Sequence, residues 1–467
     1  MFGATLWLTL ATLAGLAAGF AREWLLVADW GAGHRCDAFL VAMFLPEALR
    51  AMLAGGVLSA ACLPLWQGRA EADRPGWLAA QARHWLWVGM ALAAAISLLA
   101  PGLARLVGPG LATADLALAA EALSLLSLVM PGLMLQAVFT VPAQAQGRFL
   151  LPGLGSLMFN LPAVAYLWLS GPAATPRGAA WGFVLGSVLM ALPLLPSAWR
   201  EGWRPCLRGP SGAAREVWRQ LWPLLASGGA SQGLAWLERL AASYLGEGAI
   251  TLVNLARKLV NIPLIALMSL NQVLLGRMSG QSREDRRALL DSGLSLCTVL
   301  TLPAAVGLIA IAPQLVRTVL PAGLAEGPLP GLLSAFAVAI VFGSWNALLA
   351  RYYYAAADTR TPLSCEFRGN LAQAACLLML PALAQLYGIA LAGLLGVLTT
   401  GLLLTGLLDR AARAAYLRLA GLSLLACGAA VLAQGGLARL SAPMAWSLAL
   451  LLGGGLLGAL LLQRRHG

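Results

Sequence analysis

Charge is scarce in this sequence. Only 11% of its 467 residues are Asp, Glu, Lys or Arg, against roughly 25% in soluble globular chains. That deficit excludes a disordered chain, which is rich in charge and poor in apolar residues, and argues against a soluble multi-domain enzyme. Lysine is almost missing: Lys258 stands beside 30 arginines. The histidines His34, His84 and His466 are too scattered for a metal site. The seven cysteines form no CxxC pair and no zinc spacing, so they are expected to pack as apolar residues. There is no phosphate loop, nucleophile elbow or carboxylate–histidine set. A membrane glycosyltransferase or ligase would need acidic or metal-binding loops, which are also lacking. No catalytic centre, metal or cofactor is expected. Alternating ten-residue segments are missing too, which excludes a membrane β-barrel.

What the chain has is apolar length. Hydrophobic residues make up 60% of it, and the mean hydropathy is +0.79. Stretches of about 20 apolar residues recur from end to end, the signature of an all-α polytopic membrane protein. Fourteen spans are predicted: 4–28, 38–65, 82–106, 117–145, 149–170, 178–198, 217–245, 249–277, 288–312, 329–356, 362–386, 388–408, 415–434 and 443–463. The first runs directly into Arg22 and reads as a retained helix rather than a cleaved leader. The net charge of +12 sits mostly in short loops, so it reports topology rather than nucleic-acid binding. One alternate set of loops holds 20 arginines and the other 5. This bias places the first set, and both termini, in the cytoplasm. Tryptophans near span ends (Trp24, Trp30, Trp66, Trp85, Trp199, Trp203, Trp218) are expected to anchor in the interfacial belt.

An internal repeat runs through the chain. A shift of 217 residues aligns Arg22 with Arg239, Gly31 with Gly248, Asp37 with Asn254, Pro46 with Pro263 and Arg69 with Arg286. Further on, Arg148 pairs with Arg360 at 212, and Pro152 with Pro362 and Asn160 with Asn370 at 210. The repeat unit spans six helices. Because six is even, the copies have the same orientation, and a substrate path is expected between two bundles. The expected organisation is an N-lobe over 1–200, a C-lobe over 217–408 and a C-terminal helix pair over 409–467.

The first helix pair of each repeat carries charge inside the predicted spans. Arg22, Glu23, Glu47 and Arg50 lie in the first copy; Glu238, Arg239, Arg257 and Lys258 lie in the second. A charge at the bilayer centre costs about 2.5–3.5 kcal/mol on insertion scales, so such residues face a cavity or a partner. Five bases against three acids favour an anionic group. The guanidinium fork suits phosphate, so a diphosphate carried on a lipid is a sensible cargo. The competing reading is a set of internal ion pairs that only fix helix packing, as in a non-transporting scaffold. Glu47 and Arg50, at i,i+3, can pair. Pro46, Gly55 and Gly56 in the second span and Pro263 in the eighth can kink their helices. Ser227-Gly228-Gly229-Ala230-Ser231 in the seventh is expected to allow close helix packing.

Several runs resemble a known family. Gly19-Phe20-Ala21-Arg22-Glu23, Asp37-Ala38-Phe39 and Leu45-Pro46-Glu47-Ala48-Leu49-Arg50 are similar to the opening of the MurJ/MviN lipid II flippases. So are Gln146-Gly147-Arg148-Phe149 with Pro152 and Asn160, Ala256-Arg257-Lys258-Leu259 with Pro263, and Tyr354 through Asp358-Thr359-Arg360-Thr361-Pro362. The resemblance implies the fold of the multidrug/oligosaccharidyl-lipid/polysaccharide exporter superfamily, with fourteen helices in two lobes. It implies a bacterial inner-membrane protein that moves a polyprenyl-diphosphate-linked sugar precursor between leaflets by alternating access. The family's cavity arginines fall on Arg22 and Arg50, its helix-eight arginine on Lys258 beside Arg257, and its second-helix acid on Asp37. Three departures stand out: Leu16 where the family has an arginine, Ala54-Gly55-Gly56 where it has a glutamate, and Glu238-Arg239 in the seventh helix. They leave two cargoes open, lipid II or another polyprenyl-diphosphate-linked glycan such as an O-antigen or exopolysaccharide precursor. A drug–cation antiporter would need surplus acid instead.

Overall fold

Glycine and proline set where the apolar runs of this chain become separate helices. The computed structural model describes residues 2–54, 56–205, 212–261, 281–408 and 410–437, together with 278 and 447. Sixteen α-helices are present among them. They are α1 (Phe2–Trp30), α2 (His34–Leu49), α3 (Val57–Gln67), α4 (Arg74–Val107), α5 (Thr113–Leu126), α6 (Val129–Ala145), α7 (Leu150–Gly153) and α8 (Gly155–Ser170). They continue with α9 (Pro176–Ala191), α10 (Leu195–Arg200), α11 (Ala213–Ser243), α12 (Ala249–Asn261), α13 (Arg283–Val319), α14 (Leu329–Tyr354), α15 (Arg360–Gly406) and α16 (Arg410–Leu437). No strand occurs among the described residues. Nine helical stretches among them are long and apolar enough to cross a bilayer. The other expected spans fall on α8, α11 and α12, and on 443–463, which lies outside the described residues.

Several spans are less regular than the sequence predicts. The second is broken: α2 passes into a π-turn over Arg50–Ala54, and Gly56 then adopts φ 107° before α3. Pro46, by contrast, lies inside continuous helix. The fourth span divides into α5 and α6. Spans eleven and twelve are two helices, as expected: the run labelled α15 is interrupted at Gln385, whose φ 50° and ψ −132° are not helical. Helix starts follow local chemistry. The Thr175 hydroxyl accepts from Gly178 N at 3.2 Å ahead of α9. Ser282 accepts from Asp285 N at 3.1 Å ahead of α13, and each bond satisfies an amide that the helix cannot.

The repeat is legible in the backbone. Gly31 and Gly248, 217 residues apart, both have positive φ (73° and 79°). Gly147 and Ala357, 210 apart, do as well (71° and 59°). Their neighbours make matching hydrogen bonds: Arg148 N to Ala143 O (2.8 Å) and Asp358 N to Tyr353 O (3.0 Å). These six-to-one bonds close α6 and α14 with the same left-handed ending. Gly171 (φ 53°, ψ −137°) and Gln385 (φ 50°, ψ −132°) make a third such pair.

The chain divides into two units, Met1–Thr251 and Leu252–Gly467. In the first, α8 packs on α1 and α9, α6 on α4 and α9, α5 on α2 and α4, and α11 on α3 and α4. Its core includes Trp66, Trp77, Trp85, Met134, Phe139, Leu194, Val217 and Leu221. Trp66 and Trp85 are therefore interior packing residues rather than belt anchors. The indole of Trp85 donates to Gln81, which in turn donates to Ala213 O, so the polar edge of Trp85 is satisfied within the unit. In the second unit, α14 packs between α13 and α15, with α16 against α13, α14 and α15. In the glycine-rich stretch of α11, a Cβ on Gly229 would meet nothing within 4 Å among the described residues. Close approach occurs instead between α8 and α9. There a Cβ on Gly182 would lie 2.7 Å from Ala163 Cα, and one on Gly186 would lie 2.2 Å from Phe159 O. Five of the described cysteines are buried and Cys376 is half-buried, consistent with apolar packing.

Candidate functional site

The tight α8–α9 crossing sets two aromatic rings side by side. Gly182 and Gly186, four residues apart, let the helix backbones touch. This leaves Phe159 and Phe183 with ring centroids 5.2 Å apart, both fully buried. Each ring carries an arginine. Arg22 lies 5.4 Å over Phe183, and Arg50 lies 5.0 Å over Phe159. A desolvated cation over an aromatic face gains about 2 kcal/mol, so the rings help to hold charge in an apolar bundle.

The surroundings of the two arginines differ. Arg22 is 2% exposed and engaged on several sides. It pairs with Glu23, lies 2.8 Å from Glu47, and donates to Asn160 Oδ1 at 3.0 Å. Asn160 is itself oriented, because its amide nitrogen donates to Ser156 O at 2.8 Å. Glu47, which the sequence spacing matches with Arg50, thus reaches α1. Arg50 begins the π-turn after α2. It lines a cavity of about 370 Å³ whose other walls include Thr12, Ser59, Gln136, Thr140, Gln144 and Ser156. Among the described residues no carboxylate lines this cavity, and Arg22 is not one of its walls.

The remaining charges are distributed along the chain. Glu238 and Arg239 lie on α11, with Glu238 buried and Arg239 4.6 Å over the Phe44 ring. Pro46 is buried on α2, one residue before Glu47. In the second unit, Arg257 and Lys258 are half-buried on α12, and Arg257 lies 5.1 Å over Phe336. Pro263 lies outside the described residues. The first unit therefore brings together Arg22, Glu23, Glu47 and Arg50, whose formal charges cancel. The surplus of two positive charges in the constellation belongs to Arg257 and Lys258.

Asp37 has a separate role in the geometry. It is 3% exposed and accepts from Gly248 N (2.7 Å), Thr251 N (2.8 Å) and the Thr251 hydroxyl (2.5 Å). It thus caps the N-terminus of α12 from another helix, where a carboxylate is favoured by the free amides and the helix dipole. Beside it, His34 contacts Asp115 through Nδ1 and Glu247 through Nε2, each at 2.8 Å.

Sequence reasoning missed four contributors. Phe159 and Phe183 were indistinguishable from lipid-facing aromatics. Gln136 and Thr140 sit in an apolar span with no charged neighbour. Asn160 alone was marked, both by its offset to Asn370 in the repeat and within the run that resembles the MurJ/MviN family.

Comparison with known proteins agrees with this architecture. The sequence model of the family described as Lipid II flippase MurJ matches residues 27–454. A probable lipid II flippase MurJ of Thermotoga maritima is 26% identical over 364 residues, covering 77% of this chain and 75% of that protein. The lipid II flippase MurJ of Burkholderia cenocepacia is 27% identical over 399 residues, covering 78% and 75%. Among solved structures, a lipid II flippase MurJ in an inward closed conformation aligns with a TM-score of 0.82 at 19% identity, over 97% of both chains. An inward-facing MATE family transporter of the MOP superfamily aligns with a TM-score of 0.66 at 16% identity, over 84% of this chain and 92% of the other. With multi-pass helices, a repeated backbone and a family match across nearly its whole length, this chain belongs to the Lipid II flippase MurJ family.

Proposed function

We propose that this protein flips the lipid-linked peptidoglycan precursor, lipid II, from the cytoplasmic to the periplasmic leaflet of the bacterial inner membrane by alternating access. Membership of the MurJ family carries the reading. The chemistry of the first unit supports it, since an arginine at a carboxylate-free cavity suits an anionic head group. Arg50 is the contact for the diphosphate. Arg22, held by Glu23, Glu47 and Asn160, positions the helices that present it. Arg239, Arg257 and Lys258 add positive charge along the head group's route. Asp37, with Pro46, Glu238 and Pro263, belongs to the elements that change conformation. The two six-helix repeats act as lobes, the C-terminal pair 409–467 stands outside them, and both termini lie in the cytoplasm, as the arginine bias of the loops supports.

A second cargo, another polyprenyl-diphosphate-linked glycan, is favoured by Leu16 and by Ala54-Gly55-Gly56, which replace charged residues of the family pattern. Reconstitution in vesicles separates the two. Lipid II and a non-peptidoglycan lipid-linked glycan are loaded in parallel, and their transfer between leaflets is followed. Lipid II is expected to cross faster. Transfer of the other glycan alone would assign the second cargo, and transfer of neither would overturn the flippase reading.

A further inference from the structure

Three turns meet at one end of the first unit: 31–33 between α1 and α2, 108–112 between α4 and α5, and 244–248 between α11 and α12. Gly110 N donates to Ser243 Oγ at 3.1 Å. A Cβ on Gly248 would lie 2.6 Å from Ala32 O, and one on Gly33 would lie 2.9 Å from Glu247 Oε1. The first and third turns therefore abut with no space for a side chain between them. His34, the first residue of α2, stands at this junction. Its ring reaches two other elements: Nδ1 lies 2.8 Å from Asp115 Oδ2 in the first turn of α5, and Nε2 lies 2.8 Å from Glu247 Oε2. Its backbone N donates to Glu247 Oε1 at 3.3 Å.

The two ring contacts set the proton count. A neutral imidazole carries one N–H and one lone pair, so one contact would then set a lone pair against a carboxylate oxygen. Only the imidazolium donates to both. The ring is 58% exposed, so water exchanges that proton directly. The other charged groups near this end of the packed elements are Asp37 and exposed Arg35 on α2, Asp29 on α1 and Arg105 on α4. Asp37 is committed to Gly248 N, Thr251 N and the Thr251 hydroxyl. Imidazole is the side chain whose charge ordinarily changes between about pH 5 and 8. We infer that His34 is a proton-operated clasp: charged, it ties the start of α2 to both α5 and the α11–α12 connection, and neutral, it releases one of the two. A histidine that gains acidic partners stabilises at low pH, and that contribution is lost as pH rises through the imidazole range. The arginine bias of the loops puts this end on the periplasmic side. In a flippase working by alternating access, the clasp makes closure of that side firmer in acid. The clasp itself does not depend on the identity of the cargo.

The test is amide hydrogen exchange of the full chain in lipid nanodiscs at about pH 5.5 and about pH 8, which bracket the imidazole range. It is read as protection factors over 244–251, so that the intrinsic pH dependence of exchange cancels. His34→Gln is neutral at both pH values, and His34→Arg is charged at both. In the unmodified protein, protection of this segment is expected to be about threefold higher in acid, the size of one exposed ion pair. His34→Gln is expected to show the lower protection at both pH values and His34→Arg the higher. Any response of Asp37, Asp115 or Glu247 is common to the three proteins, so the differences between them isolate the imidazole. The same pH response in the unmodified protein and in either variant, or no response in the unmodified protein, overturns the clasp. Exchange is measured without cargo, so that result leaves the flippase reading standing.

Discussion

Glu47 on α2 lies 2.8 Å from the Arg22 guanidinium on α1, so the acid that spacing matches with Arg50 also makes an ion pair between helices. Arg22 also keeps Glu23 and Asn160. Replacing Glu47 with Gln preserves shape and removes one charge-assisted bond. Such bonds contribute about 1.5–3 kcal/mol, and Glu47 is 23% exposed, so the lower end applies. The midpoint of thermal unfolding in detergent is expected to fall. An unchanged midpoint would mean that the pair adds nothing to stability.

Arg22 and Arg50 should separate by phenotype. Arg50→Ala removes the cavity cation and is expected to abolish lipid II transfer with little loss of stability. Arg22→Lys retains the charge and loses the planar fork that meets Glu23, Glu47 and Asn160 together. It is expected to lower the unfolding midpoint as well as the transfer rate. Transfer and thermal unfolding measured on both purified variants check this. Stable, inactive Arg22→Lys beside unstable Arg50→Ala would reverse the assignment.

Gly186 has no room for a methyl group. Its Cβ would sit 2.2 Å from Phe159 O, and overpacking costs about 1–3 kcal/mol. Gly186→Ala is expected to destabilise the first unit and to displace Phe159 with the Arg50 it carries. Gly102→Ala on α4, where a Cβ meets nothing within 4 Å, is the control and should unfold no earlier than the unmodified protein.

Ala357 takes the left-handed conformation, φ 59°, that Gly147 takes in the other repeat. A side chain there costs roughly 1–2 kcal/mol, partly offset by the larger unfolded-state entropy of glycine. Ala357→Gly is expected to stabilise by about 0.5–1 kcal/mol, seen as a raised unfolding midpoint. The reciprocal Gly147→Ala should lower it.

The spans were legible because bilayer crossing leaves a run of apolar residues that nothing else requires. The repeat was legible through glycines and prolines, whose backbone roles persist: the offset between Gly31 and Gly248 returns as matched φ angles. The breaks were less so. Of the breakers named in the second span, Pro46 stays inside α2, whereas Gly56 takes the positive φ where the helix is interrupted. The site was half visible. Charge inside a span stands out, so Arg22 and Arg50 were evident. Which acid meets which base depends on helix crossing, which spacing along one helix does not encode. Gln136 and the two phenylalanines carry no charge, and only their packing distinguishes them.

The π-turn that starts at Arg50 has a mechanical consequence. The same few residues that aim the cation also form the joint between α2 and α3. Arg50 ends α2 at the edge of that joint, so a head group held by the guanidinium, as proposed above, would bear directly on the break. In the proposed flippase, grip and lever would be a single part, so that cargo could push on the machine without a relay through distant residues.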